Sequence, residues 1–281
     1  GFFFGIPSLA ILSLIMLIPI GMSFYLSFTK YTVLGSPTWI GAENFVKLFQ
    51  DQAFLSSLWV TVLYTLISVP IQTIVSLFVA DMLAKRFQNR FGSFVRSALF
   101  IPVMSSMVVV AVVWRAILGT DTGLVNQVAK AVGLEPVNFL GNPKLALVVV
   151  ALVTVWKNIG YFLVIYYAGI LDIPRELYEA SAIDGASSWQ QLWKITIPSL
   201  KPITFLVVIL GTIWSFQVFD LVYVMTGGGP GGATTTIVMM IFQAGFQNFQ
   251  MGYASAMAVV LFLVLLVVAI IQRKVLSGND D

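Results

Sequence analysis

Residues able to do chemistry gather in two parts of this chain: one polar stretch between apolar segments, and a few polar groups inside those segments. The stretch Asp172–Lys201, DIPRELYEASAIDGASSWQQLWKITIPSLK, sets Asp172, Glu176, Glu179 and Asp184 against Arg175, Lys194 and Lys201. That much charge belongs in water or against another protein, and it reads as a docking element. Within the apolar segments, Lys157 and Asp220 would each cost about 2.5–3.5 kcal/mol at a lipid-facing helix centre, so both must face a bundle interior or a cavity. Counted from the ends of their segments, the two differ in depth by roughly 6 Å at about 1.5 Å per residue, within reach of a lysine side chain. They either form a structural ion pair between two spans or line a substrate path with Trp156, Asn158, Tyr161, Ser215 and Gln217. Aromatic faces beside hydrogen-bonding groups suit a sugar-sized polar ligand. Trp156 and Tyr161, however, fall on roughly opposite sides of a regular helix. Gln72, Asp81 and Arg115 read as structural.

Composition closes off other chemistry. The chain has no cysteine and no histidine, which removes thiolates, imidazole bases, disulfides and the usual zinc sites. Without a convergent carboxylate pair inside a span, there is no catalytic constellation, and no enzyme, metal or cofactor site is expected in this chain. The glycine-rich run Thr226–Gly232 lacks the GxxxxGK[ST] spacing of a phosphate loop. A net charge of +3 gives no ground for a nucleic-acid partner.

With 59% hydrophobic and 10% charged residues, where globular domains carry about 25% charged, the chain is an integral membrane protein. Six segments approach the roughly 20 helical residues needed to cross a bilayer: Phe2–Phe28, Ser57–Ala80, Ser97–Leu118, Leu145–Leu171, Ile203–Met225 and Ala254–Gln272. The first has no basic n-region or small-residue cleavage site, and reads as a span, not a leader. The expected architecture is therefore an all-α polytopic unit over residues 1–281, with both termini on one side. Lys85, Arg86, Arg90, Arg96, Arg175, Lys194, Lys201, Arg273 and Lys274 share that side, and the positive-inside rule makes it cytoplasmic. On the other side, Phe45, Leu48 and Phe49 suggest a short amphipathic helix lying on the membrane or a loop folded over the span ends. The segment Phe242–Phe249 looks like a second interfacial helix.

Two short helices run through Asp172–Lys201. Pro174 suits a first helical turn and Gly185 a stop, with Glu176 and Glu179 near the positive helix end. Ser187 and Gln190 have capping-box spacing, and Trp189, Leu192 and Trp193 then form one apolar face. Ala180, Ser181 and Ala182 keep the first helix slim, which permits close approach by a partner.

At this stretch the sequence resembles the membrane subunits of binding-protein-dependent ABC importers of the carbohydrate-uptake branch. Their signature is EAA, three residues, Gly, nine residues, then I-x-L-P. Glu179, Ala180, Ser181, Gly185, Ile195, Ile197 and Pro198 match at that spacing, with Ser181 for the second Ala and Ile197 for Leu. Further similarity runs from about Trp39 to Lys274, including WKNIGYFLVIYYAGILDIP and FDLVYVMTGGGP. The resemblance implies that the EAA loop, with Glu179 to Gly185 including Asp184 as its contact, docks on a cytoplasmic ATPase dimer holding ATP and magnesium. It implies a second, homologous membrane subunit, an extracytoplasmic solute-binding protein and a prokaryotic cytoplasmic membrane. In maltose-type relatives, Trp156 and Tyr161 match aromatic sugar contacts, while Gly211 and Val218 stand where those relatives carry polar ones. The function expected is sugar or polyol import by alternating access. The alternative is an ion-coupled secondary transporter or channel using Lys157 and Asp220.

Overall fold

A backbone in hydrocarbon must satisfy its own N–H and C=O groups, so apolar runs of this length form helices. The computed structural model describes residues 2–276; Gly1 and residues 277–281, the ends of the expected unit 1–281, lie outside the described residues. Helix α1 (Ile6–Ser27) leads to a two-residue antiparallel pair, β1 (Thr29–Lys30) and β2 (Thr38–Trp39), with Thr29 opposite Trp39. Then follow α2 (Glu43–Gln50), α3 (Gln52–Arg86), α4 (Arg90–Met104), α5 (Met107–Ile117), α6 (Leu124–Ala131) and α7 (Pro143–Leu171). The chain continues through α8 (Arg175–Ile183), α9 (Ser188–Ser199), α10 (Lys201–Phe216), α11 (Asp220–Met225), α12 (Ile237–Gln247) and α13 (Met251–Leu276).

Among the described residues, four helices, α1, α3, α7 and α13, are long and apolar enough to cross a membrane alone. They cover the first, second, fourth and sixth expected spans. The count rises to as many as six if the bent pairs α4–α5 (100°) and α9–α10 (71°) are each one span.

The third and fifth segments are not the continuous helices expected. The third breaks between Met104 and Met107, where Ser105 and Ser106 leave the helical region with ψ of 144° and 136° and Ser105 N–H bonds back to Pro102 O at 3.2 Å. Its first half begins at Arg90 instead of Ser97, because the Asn89 side chain accepts from Gly92 N–H at 3.1 Å. The fifth breaks between Phe216 and Asp220, where Val218 N–H bonds back to Ser215 O. The carbonyl freed at Val218 accepts from Thr236 Oγ1 at 3.0 Å, so the break costs no buried acceptor.

Helices α3 and α7 form the spine and run in the same direction, since Tyr64 meets Thr154 and Ser76, further along, donates to Ile159 O at 3.1 Å. One core packs Tyr64, Val110, Val150 and Leu221; another packs Leu83, Phe162, Tyr166 and Leu200. A third joins Leu48 of α2 to Phe54, Phe216 and Met257. The short amphipathic helix expected here forms as α2 and also folds over the span ends: Leu48 is buried, Phe49 is exposed, and Asn44 donates to Ser27 O and Thr29 O, both at 2.9 Å.

Candidate functional site

The polar stretch folds by local rules. Pro174 stands at the N-cap of α8, one place before the first turn expected for it. Helix α8 ends at Gly185, whose φ of +79° is the left-handed conformation that favours glycine. There Gly185 N–H bonds Ala182 O at 3.1 Å and Ala186 N–H bonds Ser181 O at 2.9 Å, the two bonds of a Schellman motif. The capping box of α9 is present in both halves: Gln190 N–H donates to Ser187 Oγ at 3.3 Å, and Ser187 N–H to Gln190 Oε1 at 2.7 Å.

No residue of α8 is buried: Glu179, Ala180, Asp184 and Gly185 are exposed and Ser181 is half-buried. The back of the element is tied down. Gln191 Nε2 donates to Ser181 Oγ at 2.9 Å and to Tyr178 O at 3.1 Å, so Ser181 links the two helices. The Tyr178 hydroxyl meets Thr196 Oγ1 at 2.9 Å, and Lys85 of α3 donates to the same oxygen at 3.2 Å while lying over the Tyr178 ring. Lys85 also pairs with Asp81 at 2.6 Å. Burial pushes the Tyr178 phenol above its usual range, with the Thr196 bond opposing and the Asp81 charge adding. Of the apolar face, Leu192 packs inward, while Trp189 stacks on Phe78 of α3 at 6.0 Å and Trp193 sets its edge to Trp189. The face thus turns only in part onto the spans, since Trp189 and Trp193 stay 59% and 52% exposed. Ile195 is half-buried and Pro198 exposed.

The second site is a cavity of about 370 Å³ beside both helix breaks. Val103 and Met107 line it from the first break, Gln217 to Leu221 from the second, and Thr154, Lys157, Asn158 and Tyr161 from α7. Of the seven residues expected along a substrate path, it gathers Lys157, Asn158, Tyr161, Gln217 and Asp220. Trp156 is not there: it lies 41% exposed on the far side of α7, edge-on to Trp114 at 5.4 Å. Ser215 is buried behind the wall, 3.0 Å from Ser68 Oγ. Lys157 and Asp220 share the cavity, yet no ion pair joins them within 4.0 Å among the described residues. Lys157 instead donates to Val103 O at 3.3 Å.

Among the liners that went unread in the sequence are Trp214, Tyr64 and Thr154. Trp214 packs on Tyr161 at 5.0 Å, and mid-span depth, which singles out Trp156, marks it equally. Tyr64 and Thr154 bond each other at 2.5 Å from two helices, a pairing without a local signal. The cavity is apolar-walled with a few convergent polar groups and falls within the roughly 300–1,000 Å³ range of small-molecule sites.

Residues 45–277 match the family model described as binding-protein-dependent transport system inner membrane component. The chain is 36% identical to the probable ABC transporter permease protein YurN of Bacillus subtilis, over all of this chain and 97% of that one. It is 33% identical to the trehalose/maltose transport system permease protein MalF of Thermococcus litoralis, over 98% and 92% of the two chains. Its fold is similar to a chain in the crystal structure of a bacterial alginate ABC transporter in complex with alginate pentasaccharide-bound periplasmic protein. That match has a TM-score of 0.85 at 23% identity, over 97% of this chain and 92% of the other.

Proposed function

The chain belongs to the family of binding-protein-dependent transport system inner membrane components, and from that premise we propose that it is the pore-forming subunit of an ATP-driven importer of a sugar or related polyol. ATP and magnesium bind in a separate cytoplasmic ATPase dimer, a second homologous permease subunit completes the pore, and an extracytoplasmic binding protein delivers the substrate. Residues 1–281 form one transmembrane unit of six crossings, with α4–α5 as the third and α10–α11 as the fifth. Both termini and the stretch Asp172–Lys201 face the cytoplasm, by the excess of Lys and Arg on that side.

The observation that carries this reading is the form of α8: exposed and slim along Glu179–Gly185, and anchored behind through Tyr178, Thr196 and Lys85 to the end of α3. A helix so fixed transmits a push from a partner to the spans as a lever, and closing the ATPase dimer would switch the cavity between inward-open and outward-open states. The cavity supports a sugar-like substrate because the Tyr161 and Trp214 rings offer stacking faces beside Asn158, Gln217 and Asp220. The trehalose/maltose permease and the sulfoquinovosyl glycerol permease of Agrobacterium fabrum, 34% identical, point the same way by their names. The family match favours this reading over ion coupling through Lys157 and Asp220, because its description is of binding-protein-dependent transport.

The test is uptake by the full complex carrying Glu179→Lys or Gly185→Leu. ATP-dependent uptake is expected to fall to background while the chain stays in the membrane. Retained uptake in both variants would overturn the lever.

A further inference from the structure

A helix that ends inside a membrane leaves its last carbonyls without helical donors. Helix α4 ends this way. Two of its last carbonyls are met within the break: Ser105 N–H donates to Pro102 O at 3.2 Å, and Ser105 Oγ to Ile101 O at 3.4 Å. A third, Val103 O, accepts from Lys157 Nζ of α7 at 3.3 Å. One turn further along α7, Gly160 lies so close to α4 that a Cβ there would collide with the carbonyl of Leu99. Lys157 and Gly160 therefore face Val103 and Leu99 across an antiparallel crossing. The glycine admits the backbone and the lysine meets its end.

Charge agrees with this arrangement. Lys157 is 8% exposed and, among the described residues, has no carboxylate within 4.0 Å. Asp220, on the opposite wall, is exposed in the first turn of α11. The partner left for the ammonium is the negative end of α4, where a cation is favoured.

We propose that Lys157 is a positioning residue, whose ammonium caps the C-terminus of α4 and holds the broken third span as a wall of the cavity. Its consequence for transport rests on the cavity being the substrate site; the capping itself does not.

The chain has no cysteine, so Val103→Cys in the full chain, in membrane vesicles, reports on the break through its reaction rate with a water-soluble methanethiosulfonate. Lys157→Met keeps nearly the same length without donor or charge. It is expected to change the rate about fivefold or more, the scale of one charge at a helix end, while Lys157→Arg stays within about twofold of the parent. Asp220→Asn, which removes a charge from the same cavity without touching the end of α4, is expected to keep the rate within about twofold of the parent. The proposal is overturned if Lys157→Met matches the parent, or if Asp220→Asn shifts the rate as far as Lys157→Met does, as an ion pair requires. Should Lys157→Met not reach the membrane, the other two variants decide: an altered rate in either overturns the cap, and parental rates in both support it. Labelling needs no transport, so its failure leaves the importer assignment standing, and ATP-independent uptake would leave the cap standing.

Discussion

In the stretch 172–201, each turn is set by a near neighbour: Gly185 closes α8 with bonds to Ser181 and Ala182 supplied around it, and Ser187 and Gln190 start α9 by bonding each other. Around the cavity the settings come from far away: Tyr64 meets Thr154 across ninety residues, and Lys157 meets Val103 across 54. The proposed docking element exposes Glu179, Ala180, Asp184 and Gly185 at the outside of α8, where a partner protein could read them. The cavity joins side chains of the continuous α3 and α7 to the places where two other helices stop, and there free backbone groups and re-aimed side chains converge inside an apolar bundle. One region is a rigid handle, and the other is a seam between elements. Under the proposed function, a push on the stretch 172–201 would reach the cavity through α3, which contributes to both.

The largest effect should come from forcing that seam. Gly160→Val drives a side chain into the α4 backbone, and overpacking of this kind costs about 1–3 kcal/mol or more. By contrast Gly185→Ala, whose Cβ would meet nothing within 4 Å, costs about 1 kcal/mol, from its positive φ alone. Thermal unfolding of the two variants in detergent checks the order. Equal shifts would erase the distinction between local handle and long-range seam.

Next in size is the aromatic wall. Trp214→Ala removes a ring packed on Tyr161 and is expected to raise the half-saturating substrate concentration for uptake about tenfold, given about 0.5–1.5 kcal/mol per aromatic contact beyond its area. Trp156→Ala, on the far side of α7, should leave it within about twofold. If the two variants behave alike, the cavity is not the substrate path.

The smallest effect sharpens the handle. Tyr178→Phe deletes the hydroxyl bonded to Thr196 and should cost about 1 kcal/mol, read as a modest drop in melting temperature and in uptake per ATP hydrolysed. Burial raises the Tyr178 phenol in the folded state, so its stabilising contribution is fully present below the unfolded value near pH 10 and is lost as pH rises through the folded one. Parent and variant should therefore show the same pH profile through the neutral range, and a divergence there would contradict the assignment.

The same contrast explains what was legible in the sequence. The caps, the stop at Gly185 and the apolar α3, α7 and α13 obey short-range patterns, so they could be read directly. The helix breaks were not, because each lies inside a mostly apolar segment and the groups that make it tolerable are distant: Thr236 meets the carbonyl freed at Val218, and Lys157 the one at Val103. Lys157 and Asp220 announced themselves by cost, but their partners did not. A depth difference within a lysine's reach suggested a pair, whereas the helix end that Lys157 meets exists only once α4 has broken. Trp156 stands outside this cavity for the same reason: its depth matches the liners, yet its ring lies against Trp114.

The central claim is that the energy for transport enters through α8 from a separate ATPase. Its most direct test is sugar uptake into proteoliposomes holding the full complex with its binding protein, measured with ATP and without an ion gradient, then with a gradient and without ATP. Uptake is expected only under the first condition, and its loss in Glu179→Lys with the complex still assembled would locate the entry point at α8. Uptake driven by the gradient alone would contradict the claim.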